Sequence, residues 1–176
     1  MIQAPPDTNR LSFRAWLDDD LDRFHDICSD PRVMEHVGNG EVWSRQQAAQ
    51  FIQSATGTLR EQGFCQWPVF HKSDHRLIGY CGFVKTGIAP EIGWRLSPEY
   101  WGKGLATEAA RAILQYGFET LRFNCVVATV QAANAASIRV IDKLGMQLED
   151  RFDRAGREVR IYAIESNAPS PHAKES

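Results

Sequence analysis

The chain has 176 residues, 43% of them hydrophobic and 24% charged, with a formal net charge of −2. That length suits one domain of an ordinary water-soluble protein; no apolar run approaches the ~20 residues that cross a bilayer, and the charge leaves no basic footprint for nucleic acid. The first residues lack a basic stretch followed by an apolar one, so a cytoplasmic location with no membrane partner is expected.

Leu11 to Trp16 alternates apolar and polar residues, as a half-buried strand does. Asp18, Asp19 and Asp20 suit a helix N-terminus, and Leu21, Phe24, Ile27 and Cys28 supply the helical stripe behind them. Met34 to Val42, with Gly38-Asn39-Gly40, reads as loop. Ser44 with Gln47 three residues on is a capping box; Ala48, Phe51, Ile52, Ala55 and Leu59 form the apolar face of the helix it opens. A strand meander follows over Phe64 to Phe70, Leu77 to Val84 and Glu91 to Leu96, turning at His71 to His75 and Lys85 to Pro90. The helix from Leu105 to about Leu121 carries Ala106, Ala109, Ala110, Ile113, Gly117 and Leu121 on one stripe, small enough for close packing on a sheet. Phe123 to Val130 is an apolar strand, and a strand on each side of one helix predicts a parallel crossover. Asn134 is a good N-cap for the next helix and Gly145 a good stop. Met146 to Phe152 and Val159 to Ile164 then form a hairpin around Asp153-Arg154-Ala155-Gly156. The order β-α-α-β-β-β-α-β-α-β-β predicts a mixed α/β fold. Residues 1–166 are expected to form one domain, and residues 167–176, rich in Pro, Ser and Ala, a mobile tail.

Cys28, Cys65, Cys81 and Cys125 form no C-x-x-C pair and no zinc-like spacing with histidine, so they read as reduced core residues. His71 and His75 flank a turn at Ser73-Asp74, and no metal site is expected there.

The chemistry concentrates between the third meander strand and the helix after it. Pro98 ends the strand, and Gly102 and Gly104 let another group approach the backbone closely. The helix opens directly behind them, and its unpaired N–H groups and partial positive charge suit a phosphate or pyrophosphate. The P-loop pattern G-x-x-x-x-G-K-[ST] fits nowhere. The dinucleotide pattern G-x-G-x-x-G/A fails at Thr107 and lacks its strand–helix–strand setting.

Read with its flanks, Trp101-Gly102-Lys103-Gly104-Leu105-Ala106-Thr107-Glu108-Ala109 resembles the acetyl-CoA loop of the GNAT superfamily of N-acetyltransferases. That loop runs Gln/Arg-x-x-Gly-x-Gly/Ala, and the chain matches it except at Trp101. The variant looks like that of the ribosomal-protein alanine and serine N-acetyltransferases. Asn134-Ala135-Ala136-Ser137 followed by Lys143-Leu144-Gly145-Met146 resembles the family's later motif, Asn-x-x-Ser then Lys-Leu-Gly-Met/Phe. Thr8 to Arg14 and Ser29 to Met34 are similar to the subfamily's first strand and first helix exit. The resemblance covers roughly residues 8 to 165 and implies a central mixed sheet splayed around the acetyl-CoA arm, with helices on both faces.

The resemblance also implies roles. The backbone of Gly102, Lys103, Gly104, Leu105, Ala106 and Thr107, with Trp101 beside it, would hold the pyrophosphate, Lys103 adding charge. The pantetheine arm would lie between Glu91–Leu96 and Phe123–Val130 like an added strand, meeting backbone near Trp94 and Leu96. A backbone N–H of the first strand would stabilise the oxyanion. Asn134 would hold the arm. Ser137 is the implied general acid, or else only hydrogen-bonds the first turn of its helix. Glu91 is the candidate general base, with Glu35 and His36 as alternatives.

The expected reaction moves acetyl from acetyl-CoA to a primary amine by direct attack, with no acyl-enzyme. The acceptor is the N-terminal amine of a ribosomal or other protein, or else a small amine: polyamine, amino sugar or amino acid. An α-amine titrates near ~8 and a lysine near ~10.4, so the lack of an obvious strong base favours α-amines. The different-class alternative is a non-catalytic acyl-CoA-binding module. The loops at Met34 to Trp43 and at the Glu158-side hairpin are expected to meet the acceptor, and the chain to act as a monomer or homodimer.

Overall fold

The computed structural model describes residues 3–87 and 89–166, so the expected tail lies outside the described residues. In chain order the elements are β1 (Leu11–Phe13), α1 (Leu21–Cys28), α2 (Pro31–Met34), α3 (Arg45–Gln62), β2 (Gln66–His71), β3 (Arg76–Lys85), β4 (Pro90–Leu96), α4 (Leu105–Glu119), β5 (Cys125–Gln131), α5 (Ala135–Leu144), β6 (Gln147–Arg154) and β7 (Arg157–Glu165). One seven-stranded sheet runs β1-β2-β3-β4-β5-β7-β6. Every neighbouring pair is antiparallel except β4–β5, which α4 joins as the parallel crossover.

Helices cover both faces because the strands alternate. On β3, Phe83 points at α4, where its ring meets the position of Gly117. Tyr80 points the other way, onto Phe24 of α1 and Phe51 of α3. The capping box holds: Ser44 accepts from the Gln47 N–H, the Gln47 side chain accepts from the Ser44 N–H, and Ala48, Ile52, Ala55 and Leu59 are buried. Asn134 caps α5 by accepting from the Ser137 N–H, and Gly145 ends it in the left-handed conformation.

The N-terminal stretch departs from expectation. The first strand stops at Phe13, and Trp16 is instead tucked into the core with its indole N–H donating to the Gln66 carbonyl at 2.7 Å. Asp18–Asp20 form a 3-10 turn before α1. Asp20 is only 5% exposed because it folds back to accept two 2.7 Å bonds from Arg14 and one from the Leu17 N–H. The loop is also preceded by a short helix, α2, started by Pro31 and capped by Asp30.

Gly82 sits where β2 presses hardest on β3. A Cβ there would lie 2.1 Å from the Cys65 carbonyl oxygen and 2.6 Å from the Gln66 Cα, both backbone atoms that cannot rotate away. Gly82→Ala is expected to cost about 3 kcal/mol, seen as a loss of roughly 10 °C in Tm. A melting temperature within a degree of the parent would contradict this packing.

Candidate active site

The site begins where β4 and β5 part. Their pairing is limited to Glu91 with Val127. The Ser97 N–H donates to the Ile78 carbonyl (2.7 Å), which sets residues 91, 93 and 95 to exchange backbone bonds with β3. Ile92, Trp94 and Leu96 therefore turn their N–H and C=O groups toward β5. The Ala132 N–H donates to the Glu158 carbonyl (2.9 Å), so by the same alternation Val127, Thr129 and Gln131 turn theirs toward β4. Past Glu91–Val127 these two rows face each other with no ladder between them. Trp94 and Thr129 line the resulting cavity of about 580 Å³. The Leu96 side chain is buried, and its carbonyl is taken by the Trp101 indole N–H at 2.7 Å. The open backbone of the strand therefore centres on Trp94.

At the C-terminal end of β4 a 3-10 turn over Pro98–Tyr100 leads into the glycine loop. Gly102 (φ +73°) and Gly104 (φ +76°) both adopt the left-handed conformation, and the space a Cβ would take at Gly102 is open. Gly104 is the N-cap of α4 with no side-chain cap, so the first N–H groups of Leu105, Ala106 and Thr107 have no capping side chain. Open glycines against an uncapped helix start fit a pyrophosphate, which those amides would hold. Lys103 bends back, its Nζ donating to the Glu99 carbonyl (2.9 Å) and lying over the Tyr100 ring. Trp101 is 48% exposed and braces the loop through the bond to Leu96.

A clamp that the sequence reading missed fixes this loop from behind. Glu108, in the first turn of α4, accepts from the Thr8 hydroxyl (2.6 Å), the Arg10 N–H (3.0 Å) and the Arg10 Nε (2.7 Å). Arg10 also donates to the Lys103 carbonyl (2.9 Å). Burial acts to raise the Glu108 pKa, but the bonds from Thr8 and Arg10 together outweigh it and hold the carboxyl below its usual range. Ninety-eight residues separate Arg10 from Glu108, and no local pattern signals such a pairing. Arg10, Arg111 and Lys143 line a hollow beside Gly104 and Thr107.

Glu91 and Ser137 line the same cavity from different elements, β4 and α5. Burial pushes the Glu91 carboxyl up; Thr129, through hydroxyl and backbone N–H, and the Arg154 charge pull it partly back. The bond that Asn134 makes at α5 uses the Ser137 N–H, leaving the Ser137 hydroxyl out of the cap. His36 lines the cavity, whereas Glu35 is exposed and does not. The loop after α2 is stitched to the β6–β7 hairpin and to the end of β5 across the mouth. Arg157 Nη2 donates to the Asn39 carbonyl (3.1 Å), and Gln131 Nε2 donates to the Gly38 carbonyl (3.1 Å).

The cysteines need one correction. Cys28, Cys65 and Cys81 are buried, but Cys125 at the start of β5 is only partly so. Cys28 also gains a basic neighbour across the fold, with Arg95 Nη1 3.2 Å from its Sγ. Burial still outweighs Arg95 and raises the Cys28 thiol, and it pushes Cys65 up to about 12. Thiols so disfavoured as thiolates are poor nucleophiles. Mass spectrometry of the protein mixed with acetyl-CoA alone is expected to show no acetyl-enzyme; a stable adduct on any cysteine would overturn direct attack.

Among the described residues no helix is long and apolar enough to cross a membrane. Residues 10–147 match the model of the GNAT acetyltransferase domain. The chain is 35% identical over 149 residues to the uncharacterized N-acetyltransferase YnaD of Bacillus subtilis (strain 168), covering 84% of this chain and 85% of that protein. The crystal structure of a GNAT-family acetyltransferase from Bacillus anthracis superposes with a TM-score of 0.81 at 29% identity, covering 93% of this chain and 98% of that one. RimL, a ribosomal L7/L12 α-N-protein acetyltransferase solved in complex with coenzyme A, has the same fold: TM-score 0.81, 17% identity, 93% of this chain and 98% of that one covered.

Proposed function

The chain belongs to the GNAT family and is an acetyl-CoA-dependent N-acetyltransferase, and from that premise we propose that it acetylates a small primary amine by direct attack within the β4–β5 cleft. The observation that carries this reading is the parting of β4 and β5 after one pairing, with Glu91 at the parting point. Acetyl-CoA supplies an activated acetyl group. The backbone groups of Trp94 that face the gap bind the arm and donate to the carbonyl oxygen. The amides of Leu105, Ala106 and Thr107 hold the pyrophosphate, and Asn134 and Ser137 border the arm. Glu91 accepts the amine proton, its raised pKa bringing it closer to the amine it serves.

The stitched mouth favours a small acceptor, because the bonds from Arg157 and Gln131 to the Gly38–Asn39 turn narrow the approach. An N-terminal amine of a ribosomal or other protein is the second reading, supported by the likeness to RimL. Incubation of the protein with acetyl-CoA and a mixture of amino acids, amino sugars, polyamines and N-terminal peptides, followed by mass spectrometry, separates them. Acetylated small amines are expected; acetylation confined to peptide N-termini would favour the second reading.

Ser137→Ala tests the acid. The hydroxyl takes no part in the α5 cap, so Tm should stay within about 1 °C, equivalent to a few tenths of a kcal/mol. A fall in kcat of about tenfold, with KM for acetyl-CoA nearly unchanged, is expected if the hydroxyl protonates the departing thiolate. Thiolates leave readily, so the effect lies below the usual ~10²–10⁴-fold range of acid–base groups. An unchanged kcat removes Ser137 from the chemistry.

A further inference from the structure

Arg95 is the least expected residue of the cleft. It stands in the middle of the sheet, 6% exposed, and lines the cavity on the same strand face as Glu91. Among the described residues its Nη1 meets the Cys28 sulfur at 3.2 Å, and its buried Nε has no hydrogen-bond partner. Among the described residues no carboxylate lies within salt-bridge distance of it. The rings of Trp43 (4.3 Å) and Tyr80 (5.3 Å) both lie against the guanidinium. They attract the cation without neutralising it. The Cys28 thiol, raised by burial, supplies no counter-charge either. Glu91 is four residues away on an extended strand, about 13 Å at Cα, and the charge that bears on its carboxyl is that of Arg154.

A buried, unpaired cation is costly unless an anion joins it. Between Glu91 and Arg95 lies Gly93, whose missing side chain leaves the strip open. The nearest group to a Cβ there would be Gln66 Nε2 at 3.7 Å. Resting on the acetyl-transfer reading above, we propose that Arg95 receives a carboxylate of the acceptor, so that the substrate is a small amine that also carries a carboxylate. The planar fork of arginine suits a carboxylate in a two-bond grip. Glu91 faces the amine end and Arg95 the acid end. A polyamine is rejected, because its second ammonium would approach the buried guanidinium.

Matched pairs test this without relying on any variant. Glycine, methionine and a dipeptide are each compared with their carboxamides for kcat/KM. The amide's amine is neutral at lower pH, so chemistry alone favours the amide. The expected result is the reverse, about tenfold or more in favour of each acid. Arg95→Lys should shrink the preference and Arg95→Met should abolish it, with KM for acetyl-CoA unchanged in both. Amines turned over with no acid preference would overturn the assignment of Arg95 and leave the acetyltransferase reading standing, as would a rise in KM for acetyl-CoA in Arg95→Lys. A second readout needs no turnover: N-acetylglycine should raise Tm in a concentration-dependent way, and N-acetylglycinamide should not. Stabilisation by the acid without turnover of any amine would sink the transfer reading and keep the carboxylate site. Neither turnover nor stabilisation would sink both.

Discussion

Gly104→Val should lose acetyl-CoA binding by at least about 100-fold, the equivalent of two charge-assisted hydrogen bonds. Gly104 sits at φ +76° as the N-cap of α4, directly before the uncapped amides of Leu105, Ala106 and Thr107. A branched side chain in the left-handed region carries about 1–2 kcal/mol of strain. It also places methyl groups beside amides that a phosphate must reach. The Arg10 Nη2, 3.8 Å from where the valine Cβ would stand, limits where they can turn. The fold should survive, with Tm lowered by roughly 2–8 °C, because the Glu108 clamp holds the loop from behind. Calorimetry that returns the parent affinity would place the pyrophosphate elsewhere.

Glu91→Gln should lower kcat/KM about 100-fold near pH 7, the low end of what a general base contributes. The gap should narrow at pH 9, where more of the amine is already neutral. The sign follows from the direction of the shift. Burial raises the Glu91 pKa, and a base works only when deprotonated, so parent activity should fall with decreasing pH at values above the ordinary ~4.3 of a glutamate. The same burial disfavours the carboxylate in the folded state, so stability due to this group is lost as pH rises past its ordinary value. Glutamine removes that cost, and the variant should melt no lower than the parent at pH 8. Equal activity of variant and parent at both pH values would exclude Glu91, and His36, on the same cavity, would be the next to substitute.

The parts of this molecule that were legible in the sequence are those written in local patterns. Ser44 and Gln47 announce α3, Asn134 and Gly145 bracket α5, and two apolar strands flanking the alanine-rich α4 announce the parallel crossover. Local patterns misled where a distant partner intervened. Leu11 to Trp16 reads as one strand, yet the strand stops at Phe13 and Trp16 turns into the core to donate to the Gln66 carbonyl, 50 residues away. The splay of β4 from β5 was reached through resemblance, since no period distinguishes a strand that loses its neighbour halfway. The Arg10–Glu108 clamp and the Arg95–Cys28 contact join residues 98 and 67 positions apart. Arg95 was hidden for a further reason: within Trp94-Arg95-Leu96 it reads as the outward residue of a half-buried strand, and Cys28 of α1 and Trp43, packed on that face, turn it into a buried cation.

The central claim is that this cleft transfers acetyl to an amine rather than merely holding an acyl-CoA. Thiol release from acetyl-CoA, measured as an initial rate with and without a carboxylate-bearing amine, tests it most directly. Negligible release is expected without the amine, saturable release with it, and one N-acetylated product formed per thiol. Tight acetyl-CoA binding with no amine-dependent thiol release from any member of the acceptor panel would contradict it.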